Sequence, residues 1–497
     1  MKWMPRAVAF LVGAASLIQE VLWMRLAGFA TSGLPEVFGI VLGLYLIGIA
    51  IGAYVGRRFC VADMAAVRRS SVIVLCVSAL FDFIAPFVFV RLIDVLPVVL
   101  ALMPLVVIGA ALKSILFPMT HHLGSNDALR WKGGSFSKVY FANVMGCTLG
   151  PLVVTLWAMD VLTMEHLFAL TGVLTLLAGG WVIGGRWLIP AAVLSLAALL
   201  VASPLLPRLL WEVASVTGGA RPSWLVERKE GVVHTIADSA GDIVYGGNAY
   251  DGRINIDLRR NSNKIDRVYG VMAAAGNPRR VLVIGMSGGS WTRVISSFPS
   301  VEAIDVVEIN PAYLQLVERY QEVAPILTDP RIKVHIADGR RWLRGHPKSK
   351  YDAIVVNSTF HWRSGATILL SREFFQILDA HLDDHGVALV NATGSPEVLK
   401  TAGEVFAHAY LFGNAVLMSR ENFQPALRNG ESLIFATRFG DVPAFDREVA
   451  ADREAVRHVA AMPLVGLAEI EARIGRSAEV NTDARMLTEY RYGEEMR

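Results

Sequence analysis

The chain is poor in cysteine and in charge. Its three cysteines, Cys60, Cys76 and Cys147, all lie in the N-terminal half. They form neither a metal-ligand spacing nor a disulfide framework. The C-terminal half has none, so cysteine carries no information on its compartment. Charged residues are 18% of the 497, and the net charge of +3 gives no case for a nucleic-acid partner. His121-His122 has no partner at a metal-binding spacing, so no metal is expected.

Apolar residues are what the chain has in excess. They make up 54% of the sequence, and the mean hydropathy of +0.45 is too high for an ordinary soluble chain. Almost all of the excess precedes residue 206. The expected fold is an α-helical membrane bundle over 1–206, then a soluble domain. The opening MKWMPR is not read as a signal peptide, because the apolar run continues to about Phe29 with no clear cleavage site. Seven spans are expected, over about 7–29, 36–56, 71–92, 97–118, 140–159, 162–184 and 187–205.

Positive charge alternates from loop to loop: Lys2 and Arg6, then Arg57, Arg58, Arg68 and Arg69, then Arg130, Lys132 and Lys138, then Arg186. The positive-inside rule puts the N-terminus in the cytoplasm. Seven spans then put the C-terminal domain outside, away from cytosolic nucleotide cofactors, unless one span is miscounted. Glu20, Arg25, Asp82 and Lys113 fall within spans. They read either as a polar site or relay, or as a buried ion pair with Arg25 snorkelling to the interface. The glycine spacing in GLYLIGIAIGAYVG (43–56) and NVMGCTLG (143–150) predicts close helix packing.

Residues 207–230 read as an exit helix and linker, 231–262 as a small antiparallel β element with turns at 239–241, 246–248 and 251–252, and 441–497 as a helical tail. Between them, 263–440 reads as an α/β nucleosyl-binding domain of Rossmann type. Strands are expected at 281–284, 301–307, 332–336, 351–356 and 386–390, with helices over 263–276, 311–324, from 340, and over 373–382. Four strands end in chemistry-bearing residues: a glycine-rich loop at Gly285, Ser287, Gly288 and Gly289, then Glu308, Asp338 and Asn357. Parallel sheets bind ligands at those strand ends, and a strand-end carboxylate such as Glu308 can accept both hydroxyls of a ribose. Arg340-Arg341 reads as a solvated helix face.

Residues 231–400 resemble the spermidine synthase (polyamine aminopropyltransferase) fold, a relative of class I S-adenosylmethionine methyltransferases. SLIQEVLWMRLAG (16–28), VLGLYLIGIAIGAYVGRR (41–58), VYFANVMGCTLGPLV (139–153) and NTDARMLTEYR (481–491) are similar to segments of multi-span bacterial proteins fused to such domains. The resemblance implies an inner-membrane multi-pass protein, possible homodimerisation, and S-adenosylmethionine or its decarboxylated form as co-substrate. It assigns Gly285, Ser287 and Gly288 to the nucleosyl loop, Glu308 to the ribose, Asp338 and Gly339 to the adenine, and Asn255 to a position near the aminopropyl donor.

Several positions depart from the family. The Asp of its GGGDGG loop is replaced at Ser287 or Gly288. Its DSSDP-type base position is Asn357, which cannot accept a proton. Its acceptor-binding Tyr-His-Glu is Tyr269-Gly270-Val271. Asn357 and His361 are the candidate catalytic positions, His361 as substitute base with Trp362 beside it for stacking. The reaction implied is aminopropyl transfer to an amine. Methyl transfer fits the missing carboxylates at least as well, because an intact donor, carrying its own carboxylate, tolerates Ser287 and Ser290. The other readings are a non-catalytic envelope scaffold and an adenosyl-regulated transporter.

Overall fold

The computed structural model describes residues 3–124, 133–184, 190, 193, 208–358 and 360–491. The chain forms two compact units. One comprises Met1–Ser32, Glu36–Pro222 and Glu227–Lys229, the other Gly33–Pro35, Ser223–Val226 and Glu230–Arg497.

Among the described residues, six helices of the first unit are long and apolar enough to cross a membrane: α1 (Met4–Ala30), α2 (Glu36–Phe59), α3 (Met64–Ile93), α4 (Val98–Gly124), α5 (Ser137–Val161) and α6 (Met164–Ile183). The seventh span expected over 187–205 lies outside the described residues, apart from positions 190 and 193. Glycine sets the helix contacts. A Cβ at Gly52 of α2 would run into the Ala111 carbonyl of α4, and one at Gly146 of α5 into the Phe10 carbonyl of α1. Backbones approach this closely only where the side chain is a hydrogen.

Inside this unit the Lys113 ammonium pairs with Asp82 at 2.5 Å. Gln19 donates to Asp82 at 2.7 Å and accepts from Lys113 at 2.9 Å. Three helices thus share one buried polar cluster, as the ion-pair reading expects. Arg25 donates to the Met159 sulfur at 3.3 Å. Helix α7 (Leu209–Gly218) follows and ends at Gly219, whose φ of +68° is the left-handed cap that glycine adopts freely.

The second unit opens on a four-stranded sheet in the order β1 (Trp224–Arg228), β2 (Gly231–Ile236), β3 (Ile243–Gly246), β4 (Ala249–Arg253). The first strand falls where the sequence reads as linker. Gly247 and Asn248 have φ of +56° and +66°, a two-residue turn whose twist suits a hairpin. The expected turn at 251–252 is instead part of β4, paired with β3.

The large sheet contains β5 (Arg280–Ile284), β6 (Ala303–Glu308), β7 (Ile332–Ile336), β8 (Tyr351–Val356), β9 (Leu382–Asn391), β10 (His408–Phe412), β11 (Ala415–Ser419) and β12 (Leu464–Val465). Their spatial order is β12-β10-β11-β9-β8-β5-β6-β7. Strands β7, β6, β5, β8 and β9 run parallel. β10, β11 and β12 join by antiparallel pairing. The tail expected to be helical therefore also supplies a strand. Along β5, Val281 and Val283 enter one core, while Leu282 and Ile284 enter the other. A strand buried on both faces needs this unbroken apolar run.

Helices α8 (Asp266–Ala274), α9 (Ser290–Ser296), α10 (Ala312–Glu318) and α11 (Gly339–Gly345) cover the sheet. α10 is shorter than the 311–324 expected. A separate 3-10 turn, Ala324–Leu327, follows it, with Pro325 in its first turn.

Candidate nucleosyl site

The strand ends are tied together by backbone hydrogen bonds. Gly285 donates to Val307, Asn357 to Ile284, and Ala337 to Glu308, at 2.8–3.0 Å. The glycine loop, Glu308, Asp338 and Asn357 therefore line one edge of β8, β5, β6 and β7, as the sequence pattern expects.

The loop needs its glycines. Gly285 has φ of +86°, and a Cβ there would sit 2.6 Å from the Asn357 carbonyl oxygen. Ser287 holds φ of +49°, an unusual conformation for a side chain with a Cβ. Its hydroxyl donates to the Asp251 carbonyl at 2.8 Å, which fixes β4 over the loop. At Gly288 a Cβ would lie 2.6 Å from Ile254 Cδ1, so Ile254 occupies the space that an acid at 288 would use.

Glu308 is buried at the end of β6, with 3% exposure. Its Oε2 accepts from the Met286 amide at 2.7 Å and its Oε1 from the Asn310 amide at 2.8 Å. Each oxygen keeps a second lone pair for a ligand hydroxyl. Burial pushes the carboxyl up to about 7, against the pull of those amides. Asp338 caps α11 by accepting from the Arg341 amide at 2.7 Å. Gly339 lies against β5, where a Cβ would meet Ile284 Cγ2 at 2.5 Å.

Asn255 is placed differently. Its Oδ1 accepts from the Asp257 amide at 2.9 Å, and its backbone N–H donates to Ser290 Oγ at 3.2 Å. It lines a cavity of about 520 Å³ with Asp238, Asp242, Asp257 and Glu322. His361 is 1% exposed. Its Nδ1 meets the Thr393 hydroxyl at 2.7 Å and its Nε2 the Arg491 carbonyl at 3.4 Å. Both ring nitrogens are engaged, so the ring must release one before it accepts a proton from a substrate. Trp362 stacks on Phe360, with ring centroids 5.3 Å apart. Tyr269 is fully buried against Phe298 and Phe445, and a Cβ at Gly270 would run into Phe412. Tyr269 and Gly270 are thus part of the core.

Three residues that sequence reasoning did not select complete the site. Tyr313 of α10 donates to Asp251 Oδ2 at 2.5 Å. Burial raises the Asp251 carboxyl to about 6, while Tyr313 and the Arg363 charge oppose the rise. Burial lowers Arg363, while Tyr313 and Asp251 support its charge. Asp251 and Glu308 are near enough for each to raise the Tyr313 hydroxyl further. The sequence offered Asp251 only as a turn residue at 251–252, where aspartate is common and calls for no chemistry. Tyr313 and Arg363 had none.

Residues 268–406 match the spermine/spermidine synthase domain model. The chain is 30% identical over 154 residues to spermine synthase of Arabidopsis thaliana, spanning 31% of this chain and 40% of that protein. It is 35% identical over 130 residues to a polyamine aminopropyltransferase of Clostridium perfringens, spanning 26% of this chain and 45% of that protein. The chain thus spans less than half the length of these curated relatives. The crystal structure of spermidine synthase from Thermotoga maritima aligns over 51% of this chain and 88% of its own, at 17% identity and a TM-score of 0.39. The C-terminal half of this chain therefore carries a spermidine synthase-type domain, preceded by helices long and apolar enough to span a membrane.

Proposed function

We propose that the protein is a membrane-anchored transferase. Its donor is an adenosyl sulfonium, S-adenosylmethionine or decarboxylated S-adenosylmethionine. Its acceptor is a small-molecule amine or another nucleophile. Aminopropyl transfer is the reaction named for the relatives, and the acceptor site here is altered from theirs. The observation that carries this reading is Glu308, held by the Met286 and Asn310 amides beside a glycine loop of constrained conformation. That carboxylate suits a ribose diol, and Asp338 on the next strand suits the base.

The sulfonium makes the transferred carbon labile, so the protein's task is alignment and acceptance of one proton. The acceptor nitrogen attacks the carbon, the carbon–sulfur bond breaks, and its electron pair returns to sulfur. The proton lost by nitrogen passes to a base, a role His361 can take once one ring nitrogen leaves Thr393 or the Arg491 carbonyl.

The test is incubation of the full chain in detergent with each donor and a panel of amines. Aminopropyl transfer releases methylthioadenosine, and methyl transfer releases S-adenosylhomocysteine. Release of neither product, with no adenosyl ligand bound, would remove the transferase. A non-catalytic role on this fold would then lead, as Asn357 and the buried Tyr269-Gly270-Val271 segment favour.

A further inference from the structure

Residues 481–491 are tied along the loop that leaves β8, the loop that carries His361. At one end the Asn481 carbonyl accepts from the Arg372 amide at 2.9 Å. Asp483 accepts from Arg340 at 2.8 Å and from the Ser371 hydroxyl at 2.7 Å. Further on, the Thr488 and Thr367 hydroxyls meet at 2.6 Å, and Glu489 accepts from the Gly365 amide at 3.0 Å. The Arg491 carbonyl comes last, 3.4 Å from His361 Nε2. The Arg491 guanidinium fixes that end by donating to the buried Glu397 at 2.7 Å.

These contacts decide what the His361 ring can offer. A carbonyl oxygen only accepts, so Nε2 carries a hydrogen toward Arg491. In the neutral ring the lone pair is then on Nδ1, where the Thr393 hydroxyl donates to it at 2.7 Å. In the charged ring both nitrogens carry hydrogens. Neither form presents a lone pair to a substrate. The two anchors are unequal. Thr393 also takes the His361 backbone N–H, at 3.1 Å. The Nε2 contact lies at the long edge of hydrogen-bond range. Once that contact breaks, Nε2 loses its hydrogen to water, Nδ1 gains one and donates it to Thr393, and Nε2 keeps a lone pair.

We propose that residues 487–491 form an autoinhibitory strap. Docked, they hold His361 with no lone pair to give. Undocked, they free Nε2 to take the acceptor's proton, while the ties at Asn481 and Asp483 stay made and anchor the segment. This rests on the reading of His361 as the base of the transfer and adds its control.

Two variants in detergent test the strap: a chain ending at Met486, and Arg491→Met in the full chain, which cuts the tie to Glu397. The probe is diethyl pyrocarbonate, which acylates a histidine lone pair, with mass spectrometry reading each site. His361 should react about tenfold faster in both variants than in the native chain. His381 is the internal control. It is buried at the opposite end of the helix Arg372–His381 from Ser371, and its nitrogens meet the Ile377 and Leu343 carbonyls. It should stay slow in all three chains. An unchanged His361 rate in the chain ending at Met486 would overturn the proposal. So would a His381 rate that rises in step in both variants, because residues 487–491 would then be part of the fold. Given donor and amine, the chain ending at Met486 should also release methylthioadenosine or S-adenosylhomocysteine about tenfold faster than the native chain. Slower release despite a reactive His361 would overturn the inhibitory role and leave the transferase intact. If neither chain releases product, the transferase reading falls and takes the strap's role with it.

Discussion

Substituting Glu308 by Gln separates ligand recognition from folding. In the folded chain the carboxyl sits at about 7, raised by burial from 4.5. Folding therefore favours its neutral form. The associated stability is fully present below about pH 4.5 and is lost as pH rises through about 7. The shift corresponds to about 3 kcal/mol of destabilisation once the group is ionised. Glutamine does not ionise, so Glu308→Gln escapes that loss. Its amide turns a donor toward either the Met286 or the Asn310 N–H, at a cost of about 1–2 kcal/mol that does not vary with pH. The melting temperature of the variant relative to the native chain should thus rise by roughly 5–10 °C between pH 5 and pH 8. Adenosyl binding should move the other way. One charge-assisted bond to a ribose hydroxyl is worth about 1.5–3 kcal/mol, so affinity at pH 8 should fall about 10- to 100-fold. Native affinity should strengthen as pH rises past 7, and that dependence should flatten in the variant. Thermal melts and binding isotherms across pH 5–8 read both effects. A melting difference that is constant with pH would refute the reasoning, because it would mean that Glu308 does not titrate in this range.

Three further outcomes are expected. Gly285→Ala should lower stability by at least about 2 kcal/mol, because its φ of +86° and the Asn357 carbonyl both oppose a Cβ; denaturant midpoints give the value. Asp82→Asn should destabilise the helical unit by about 3–5 kcal/mol by stranding Lys113, and Asp82→Leu with Lys113→Met should recover most of it, as thermal aggregation in detergent would show. A C-terminal reporter active only in the cytoplasm should give signal, because adenosyl donors are cytosolic; activity of the periplasmic reporter instead would cut the domain off from its donor.

The large sheet was legible because each of its central strands is a run of apolar residues closed by a polar one. Val281 to Ile284 has apolar side chains on both faces, the pattern of a strand buried between two layers, and the glycine loop after it marks its end. The strand-end residues followed, since Gly285, Glu308, Asp338 and Asn357 each stand at the switch from an apolar run to a loop. Helix ends were less legible. α10 stops at Glu318 although the apolar periodicity continues through Tyr320 and Val323, which still pack on the core outside the helix. β1 was hidden because Trp224–Arg228 is a half-buried strand that pairs with β2, and nothing within those five residues records that pairing.

The sequence by itself determined the division into an apolar helical half and an α/β half, the order of the parallel strands along the chain, and the acid that ends β6. These depend on local composition and on periods of two and 3.6 residues, which any window of the chain displays. Only the tertiary structure decided which residues complete the site. Asp251 lies 62 positions before Tyr313 and reaches its hydroxyl only because Ser287 pins β4 over the glycine loop. His361, four residues after Asn357 in sequence, instead bonds Thr393 and the Arg491 carbonyl. A polar contact between distant strands is fixed by how layers pack, and packing couples residues that no local pattern relates.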